Sequence, residues 1–329
     1  MAWANSAVSD IIATTIESRT GKVQDNLTNN NALIRRLKER GNIKTVSGGS
    51  VIDQEIIYND PSTNYAASYS GYDTINIAPD SPISAAQFNI KHYADAVSIS
   101  GPELLANSSK EQMIDLLSTR IDIAQARLLN KIDLDLHGDG TGNSAKNLDG
   151  LYALLTNSPS SGTYGGISRA TWAFWRPQYQ GGVTLTSATI QAAMNTISLN
   201  LVRGNDYPDL IYAGANAFQL YLNSLQAIQR ITSEDTSNAG VGFASLKYYG
   251  AGQSADVIYG GGIGGNQPTN VMAFINTKFL NWRPHKDRNF VPIGGDRQSV
   301  NQDAVVKLMG VSGNLTCSGA QFHGWLNVV

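Results

Sequence analysis

The run from Ser108 to Leu136 constrains the fold more than any other feature, because no Pro or Gly interrupts it before Gly138. Ile114, Leu117, Ile121, Ala124, Leu128, Ile132 and Leu136 recur every three or four residues, which keeps them on one helical face. Lys110, Asp115, Arg120, Asp122, Arg127 and Asp133 fill much of the remainder. Ser108-Ser109, followed by Glu111 and Gln112 at a spacing of three, has the pattern of a capping box. A helix over 109–137 would be roughly 43 Å long. Ordinary globular helices average about 12 residues, so this one is a strut around which the chain must be arranged.

The strut stops in HGDGTGN, residues 137 to 143. Gly138 suits a left-handed helix end, and Gly140 and Gly142 suit turns with positive φ. The chain resumes at Leu148-Asp149-Gly150-Leu151. VSISGPELLANSS (97–109), the long helix, and GDGTGN with LDGL (138–151) together resemble the major capsid proteins of tailed bacteriophages, the Hong Kong ninety-seven type fold. Gly313-Asn314-Leu315 matches a phrase near the close of such chains.

The resemblance implies an α+β fold in five parts. Residues 1–46 would be an N-terminal arm reaching under a neighbour, and 47–91 an extended β-hairpin, the E-loop, overlapping another. Residues 92–184 would form a peripheral domain of spine helix (109–137) and β-sheet. An α/β axial domain would follow at 185–299, and 300–329 would return to the peripheral domain.

The residues support these parts independently. VIDQEIIY (51–58) is rich in β-branched residues, NDPSTN (59–64) is a turn cluster, and TINIA and FNIKHY read as the returning strand. A thin hairpin is only marginally stable alone in water. Ile56, Tyr58, Tyr65, Tyr69, Tyr72 and Ile75 are therefore the candidate inter-subunit contacts. No lysine falls between Lys44 and Lys91, so a lysine–asparagine cross-link from the loop tip is not expected. Between 19 and 44, seven basic residues face two acids, a balance of about +5. Arg35, Arg36, Lys38 and Arg40 are thus candidates for contact with a neighbour or with DNA, or else a solvated helix face. The aromatics of 151–184 suit a core or an interface equally. Residues 185–202 and 217–228 read as helices and 209–215 and 271–276 as strands. The glycine-rich segment 232–270 reads as partly mobile.

Charged residues make up only 15% of the chain, against roughly 25% in ordinary soluble domains. Such a surface suits a chain covered largely by copies of itself, or a β-rich surface protein. The net charge of −2 does not favour strong phosphate binding. A single cysteine, Cys317, excludes an internal disulfide, in keeping with a reducing bacterial cytoplasm. No signal peptide or membrane span is read, so no membrane partner is expected.

No catalytic constellation emerges. GGGIGG (260–265) is followed by Asn266-Gln267-Pro268, so no helix start is offered to a pyrophosphate. DLHGDG (135–140) begins like a calcium loop but has Lys146 where the bidentate Glu belongs. His92, His137, His285 and His323 are scattered, not clustered as zinc requires. No cofactor or metal is expected, and the chain is not read as an enzyme.

The expected function is therefore that of a self-assembling capsid subunit in a virion, made in the host cytoplasm. Its partners would be many copies of itself, portal and decoration proteins, a separate scaffolding protein or none, and weakly held double-stranded DNA. An encapsulin-type compartment is the same-class alternative. A polysaccharide-binding or polysaccharide-degrading tail protein is the alternative from a different class.

Overall fold

The computed structural model describes residues 32–58, 68–75, 83–106, 110–225, 246–250, 253–261, 265–294, 297–298 and 303–328. The chain enters through helix α1 (Ala32–Glu39), whose Leu33 and Leu37 are fully buried. Strands β1 (Val51–Ile57) and β2 (Ile83–Asn89) pair antiparallel, Val51 opposite Asn89 and Ile57 opposite Ile83. Strand β3 (Lys91–Ser100) leads through the short helix α2 (Gly101–Ala106) into the strut, helix α3 (Lys110–Leu136).

Helix α3 has 27 residues, close to the expected span, and buries Ala124, Leu128, Ile132 and Leu136. Ser108-Ser109 and the side chains of Ile114 and Leu117 lie outside the described residues. At its head, Arg120 joins Glu103 of α2 by two hydrogen bonds, of 3.0 and 3.2 Å. Its tail differs from expectation. Gly138 does not take a positive φ; it closes the helix by donating its N–H to Asp135 O at 2.9 Å. Gly140 (φ 80°) makes the turn, while Gly142 does not. Instead Asn143, Ser144 and Ala145 are left-handed, with φ of 52°, 56° and 59°. Gly150 then packs against the helix end so closely that a Cβ there would run into the carbonyl oxygens of Asp135, Leu136 and Gly138.

Two sheets meet beside α3. In the first, the 14-residue strand β10 (Ala304–Cys317) pairs with β3 from Ala304↔Ser100 to Gly313↔Lys91. Its other edge carries Arg297–Gln298, Val291–Pro292 and β9 (Leu280–Pro284) in turn. The second sheet holds six strands: β4 (Gln178–Val183), β5 (Leu210–Ala213), β6 (Leu246–Gly250), β7 (Gln253–Tyr259), β8 (Val271–Ile275) and β11 (Gly324–Val328). Their order is β4-β11-β8-β5-β7-β6.

Both faces of the second sheet are covered, and strand alternation divides its residues between two cores. Leu210, Tyr212, Ala273 and Ile275 join the main core with α1, β1, β2 and the tail of α3. Ile211, Ala213, Met272 and Phe274 meet helices α4 (Ile190–Leu201) and α5 (Ala215–Leu225). Two sequence assignments change here. Residues 280–284, 291–292 and 297–298 pair with β10, while the final strand β11 joins the α/β sheet rather than the peripheral one. Residues 246–250 and 253–259, read as part of a mobile segment, form the antiparallel strands β6 and β7, whereas 226–245 and 251–252 lie outside the described residues.

A polar joint ties α3 to the second sheet. Asn266 Nδ2 donates to Asp133 Oδ2 at 2.6 Å, and His137 Nε2 lies 3.1 Å from the Tyr212 hydroxyl. Burial lowers the pKa of His137 and raises that of Asp133, each partly offset by the other's charge. Asp135 points elsewhere, accepting from Tyr93, Lys131 and Asn147. The two aspartates do not form a carboxylate pair, as their spacing predicts.

Candidate inter-subunit surfaces

The β1–β2 hairpin has two faces with different fates. Its inner face lies on its own globule: Ile52, Ile56, Ala86 and Phe88 are all buried in the main core. Arg283 Nη2 donates to Gln54 Oε1 at 2.6 Å, and Gly165 O accepts from Gln87 N–H at 2.9 Å. Phe88 presses on Gly165, where a side chain would collide with its ring. Ile56 is therefore corrected from an inter-subunit contact to a core residue of its own chain.

Tyr58 is half-buried against its own chain. Its ring stacks on Phe174 at 5.3 Å and meets Trp172 edge-on at 5.2 Å. The aromatic run after the long helix, left open between core and interface, thus braces the chain just beyond the distal end of β1. Trp175 is fully buried and donates its indole N–H to Tyr164 O at 2.9 Å.

The outward face at the distal end of the β1–β2 ladder is bare. Ile57 and Ile83 stand opposite each other at 81% and 69% exposure. Tyr69, Tyr72 and Ile75 are exposed as well, beside a local turn in which Ser70 N–H donates to Asp73 at 2.7 Å. Tyr65 lies outside the described residues. Ile57 and Ile83 escaped the sequence reading, although a signal was present. Adjacent Ile56 and Ile57 cannot face the same side of a strand, so burial of one leaves the other outside.

Among the described basic side chains of this segment Arg36 is turned inward, Arg35 is half-buried, and Lys38, Arg40 and Lys44 are exposed. Arg36 is buried, with Nη2 2.5 Å from Asp256 Oδ2 on β7. Arg40 lies 3.5 Å from Asp209, and Arg35 3.0 Å from Glu39. Lys44 N–H and Val46 N–H donate to the carbonyls of Trp282 and Pro284, extending the edge of β9. Residues 32–46 are therefore docked on their own chain rather than reaching away from it. This removes Arg36 as a contact for DNA or a neighbour. Lys38 remains exposed, and residues 1–31 lie outside the described residues.

No described helix is long and apolar enough to cross a membrane. Cys317 is fully buried at the end of β10, and burial pushes its thiol up to about 12.

No protein-family model matches the sequence, and no curated protein matches it. Solved structures do. The cyanophage A-1(L) capsid asymmetric unit is similar over 94% of this chain and 95% of that one, with 17% identity and a TM-score of 0.66. The capsid of an empty GTA particle is similar over 99% and 100%, with 12% identity and a TM-score of 0.51. The capsid of Myoviridae phage XM1 covers 89% and 92%, with 12% identity and a TM-score of 0.50. At these identities the likeness is one of fold, and the fold is the α+β arrangement of phage capsid chains.

Proposed function

We propose that this chain is the major capsid subunit of a tailed bacteriophage, assembling into pentamers and hexamers of a closed shell around the genome. Its role is structural rather than catalytic. Helix α3 serves as the spine, the sheet around β10 as the peripheral platform, and the six-stranded sheet with α4 and α5 as the axial unit. The hairpin serves as the E-loop.

The bare distal hairpin carries this reading. Two isoleucines in register, with two tyrosines and a third isoleucine beyond them, stand outside a core that already uses the strands' other face. Such a surface is stable in water when another molecule covers it. Many symmetric contacts of this kind add by avidity, and obligate interfaces bury thousands of Å². The genome is held by confinement, with portal, decoration and scaffolding proteins as further partners.

Negative-stain microscopy of the purified full chain tests the proposal. Closed shells or capsomers are expected; a well-behaved monomer at micromolar concentration would overturn it.

A further inference from the structure

One carboxylate oxygen near the tail of α3 is shared by a lysine and an asparagine. Lys131 Nζ, one helical turn earlier, donates to Asp135 Oδ1 at 2.7 Å. Asn147 Nδ2 donates to the same oxygen at 3.0 Å from the loop that follows the helix. The other oxygen, Oδ2, accepts from the Tyr93 hydroxyl at 2.8 Å, and that hydroxyl accepts from Leu148 N–H at 2.8 Å. Asp135 is buried, and the neighbouring Leu136 and Leu148 are fully so. The carboxylate is thereby held in one orientation, with Oδ1 turned to the two nitrogens.

The loop that brings Asn147 to this oxygen is strained. Asn143, Ser144 and Ala145 are all left-handed, a conformation that is costly for any residue with a Cβ. Backbone strain persists where the surroundings impose it, and it gathers at sites of chemistry. Here Lys91 Nζ holds the turn by donating to Ala145 O at 2.7 Å. Gly142 leaves room for the amide, since a Cβ there would lie 2.5 Å from Asn147 Nδ2.

We propose that Lys131 and Asn147 of one chain join in an isopeptide bond, with Asp135 moving the protons. Asp135 Oδ1 takes a proton from the lysine, and the neutral Nζ attacks Asn147 Cγ, one bond beyond Nδ2. The Nζ–Cγ bond forms and the Cγ–Nδ2 bond breaks. Asp135 passes the first proton to the departing Nδ2 and takes up a second from Nζ, which leaves with the ammonia as ammonium. The carboxylate is regenerated, and no oxidant or cofactor enters. One oxygen within hydrogen-bond reach of both the attacking and the leaving nitrogen is the geometry these two transfers need. Holding amine and amide together supplies the proximity. The amine must first give up its proton, so the bond forms slowly, but it forms once and the escape of ammonia makes it permanent. Residues 131–147 become a covalent ring that fastens the end of the long helix to its loop. The chemistry lies within one chain and does not depend on the shell reading.

Intact-mass spectrometry of the purified full chain tests it. The wild type should be lighter than its sequence by one ammonia, and proteolysis should release one branched peptide joining Lys131 to Asn147. K131R should keep its full mass, because arginine retains the charge and the hydrogen bond to Asp135 but cannot attack the amide. D135N should form the branch about a hundredfold more slowly. If D135N does not fold, K131R carries the test alone. A wild type at full sequence mass, both fresh and after prolonged incubation at mildly alkaline pH, overturns the proposal. Ammonia loss that persists in K131R overturns it as well, since it would mark cyclisation of an asparagine on its own backbone. A branch formed at the wild-type rate in folded D135N would overturn the role given to Asp135.

Discussion

Asn314 and Asp149 grip each other across 165 residues of chain: Asp149 N–H donates to Asn314 Oδ1 at 3.0 Å, and Asn314 Nδ2 donates to Asp149 Oδ2 at 2.7 Å. The amide also donates to Asn89 O at 2.8 Å, at the end of β2. One fully buried side chain thus joins β10, the loop after the long helix and the base of the hairpin. Replacing Asn314 with Ala strands the Asp149 carboxylate and the Asn89 carbonyl, and a buried polar group left without a partner costs about 1–3 kcal/mol, more when charged. The N314A subunit should lose about 3–4 kcal/mol in urea unfolding. A cycle with D149A should return a coupling of about 2 kcal/mol. Additive losses would show that the two residues act separately.

Gly150 gives a sharper case. Its missing side chain lets the backbone lie against three carbonyl oxygens at the end of α3, and a Cβ would lie 2.6 Å from Leu136 O and closer still to the other two. Backbone oxygens cannot rotate aside. G150A should therefore cost about 4 kcal/mol or more, or yield no soluble protein. Gly162 is the control, since it has positive φ (78°) but open space around it. G162A should cost only about 1–2 kcal/mol, the left-handed strain alone. Equal losses in the two variants would remove packing as the cause.

The long helix, the strand–helix alternation of 185–225 and the buried strand at 271–275 were legible because periodicity is a local property. What the sequence withheld was partnership. VIDQEII has apolar residues on both faces, so alternation alone does not say that Ile52 and Ile56 bury while Ile57 stays outside. The basic count of the N-terminal segment could not reveal that Arg36 meets Asp256, 220 residues away. Nor could GWLNV declare which sheet it would join, because any edge that matches a short apolar strand satisfies it equally. The hairpin was expected to be bare throughout. It is bare on its outward face, and the aromatic run that holds Tyr58 beyond the far end of β1, Trp172 with Phe174, was visible but had no assigned target.

His323 is fully buried just ahead of β11, and burial pushes its pKa down to about 3. Its Nδ1 is 3.4 Å from the Asn276 N–H, which donates to it, so the folded state holds the neutral ring. Below the ordinary value of about 6.5 the unfolded chain takes up a proton that the folded chain refuses until about pH 3. Stability should therefore fall with acidity across this window, by up to about 1.4 kcal/mol per pH unit from this group. H323Q removes that contribution. Its unfolding free energy should vary less steeply between pH 6 and 4 than that of the wild type. Parallel profiles would mean that the buried ring does not govern the acid limb. His137, also lowered by burial, acts in the same direction and remains in both proteins.

Neighbouring isoleucines separate folding from assembly. Ile56 is 4% exposed within the main core, whereas Ile57 and its cross-strand partner Ile83 are 81% and 69% exposed. Truncating a buried isoleucine to Ala removes its packing and leaves a cavity, costing about 2–5 kcal/mol. I56A should therefore unfold at lower denaturant and assemble poorly for that reason. I57S/I83S removes apolar groups that contribute little to the isolated subunit, so its unfolding midpoint should stay within about 0.5 kcal/mol of the wild type. Its shells should nonetheless be lost or fall apart on dilution, as read by sedimentation and negative stain. If I57S/I83S assembles normally, the bare end of the hairpin is not an interface, and the surface that carries the proposed function lies elsewhere on the chain.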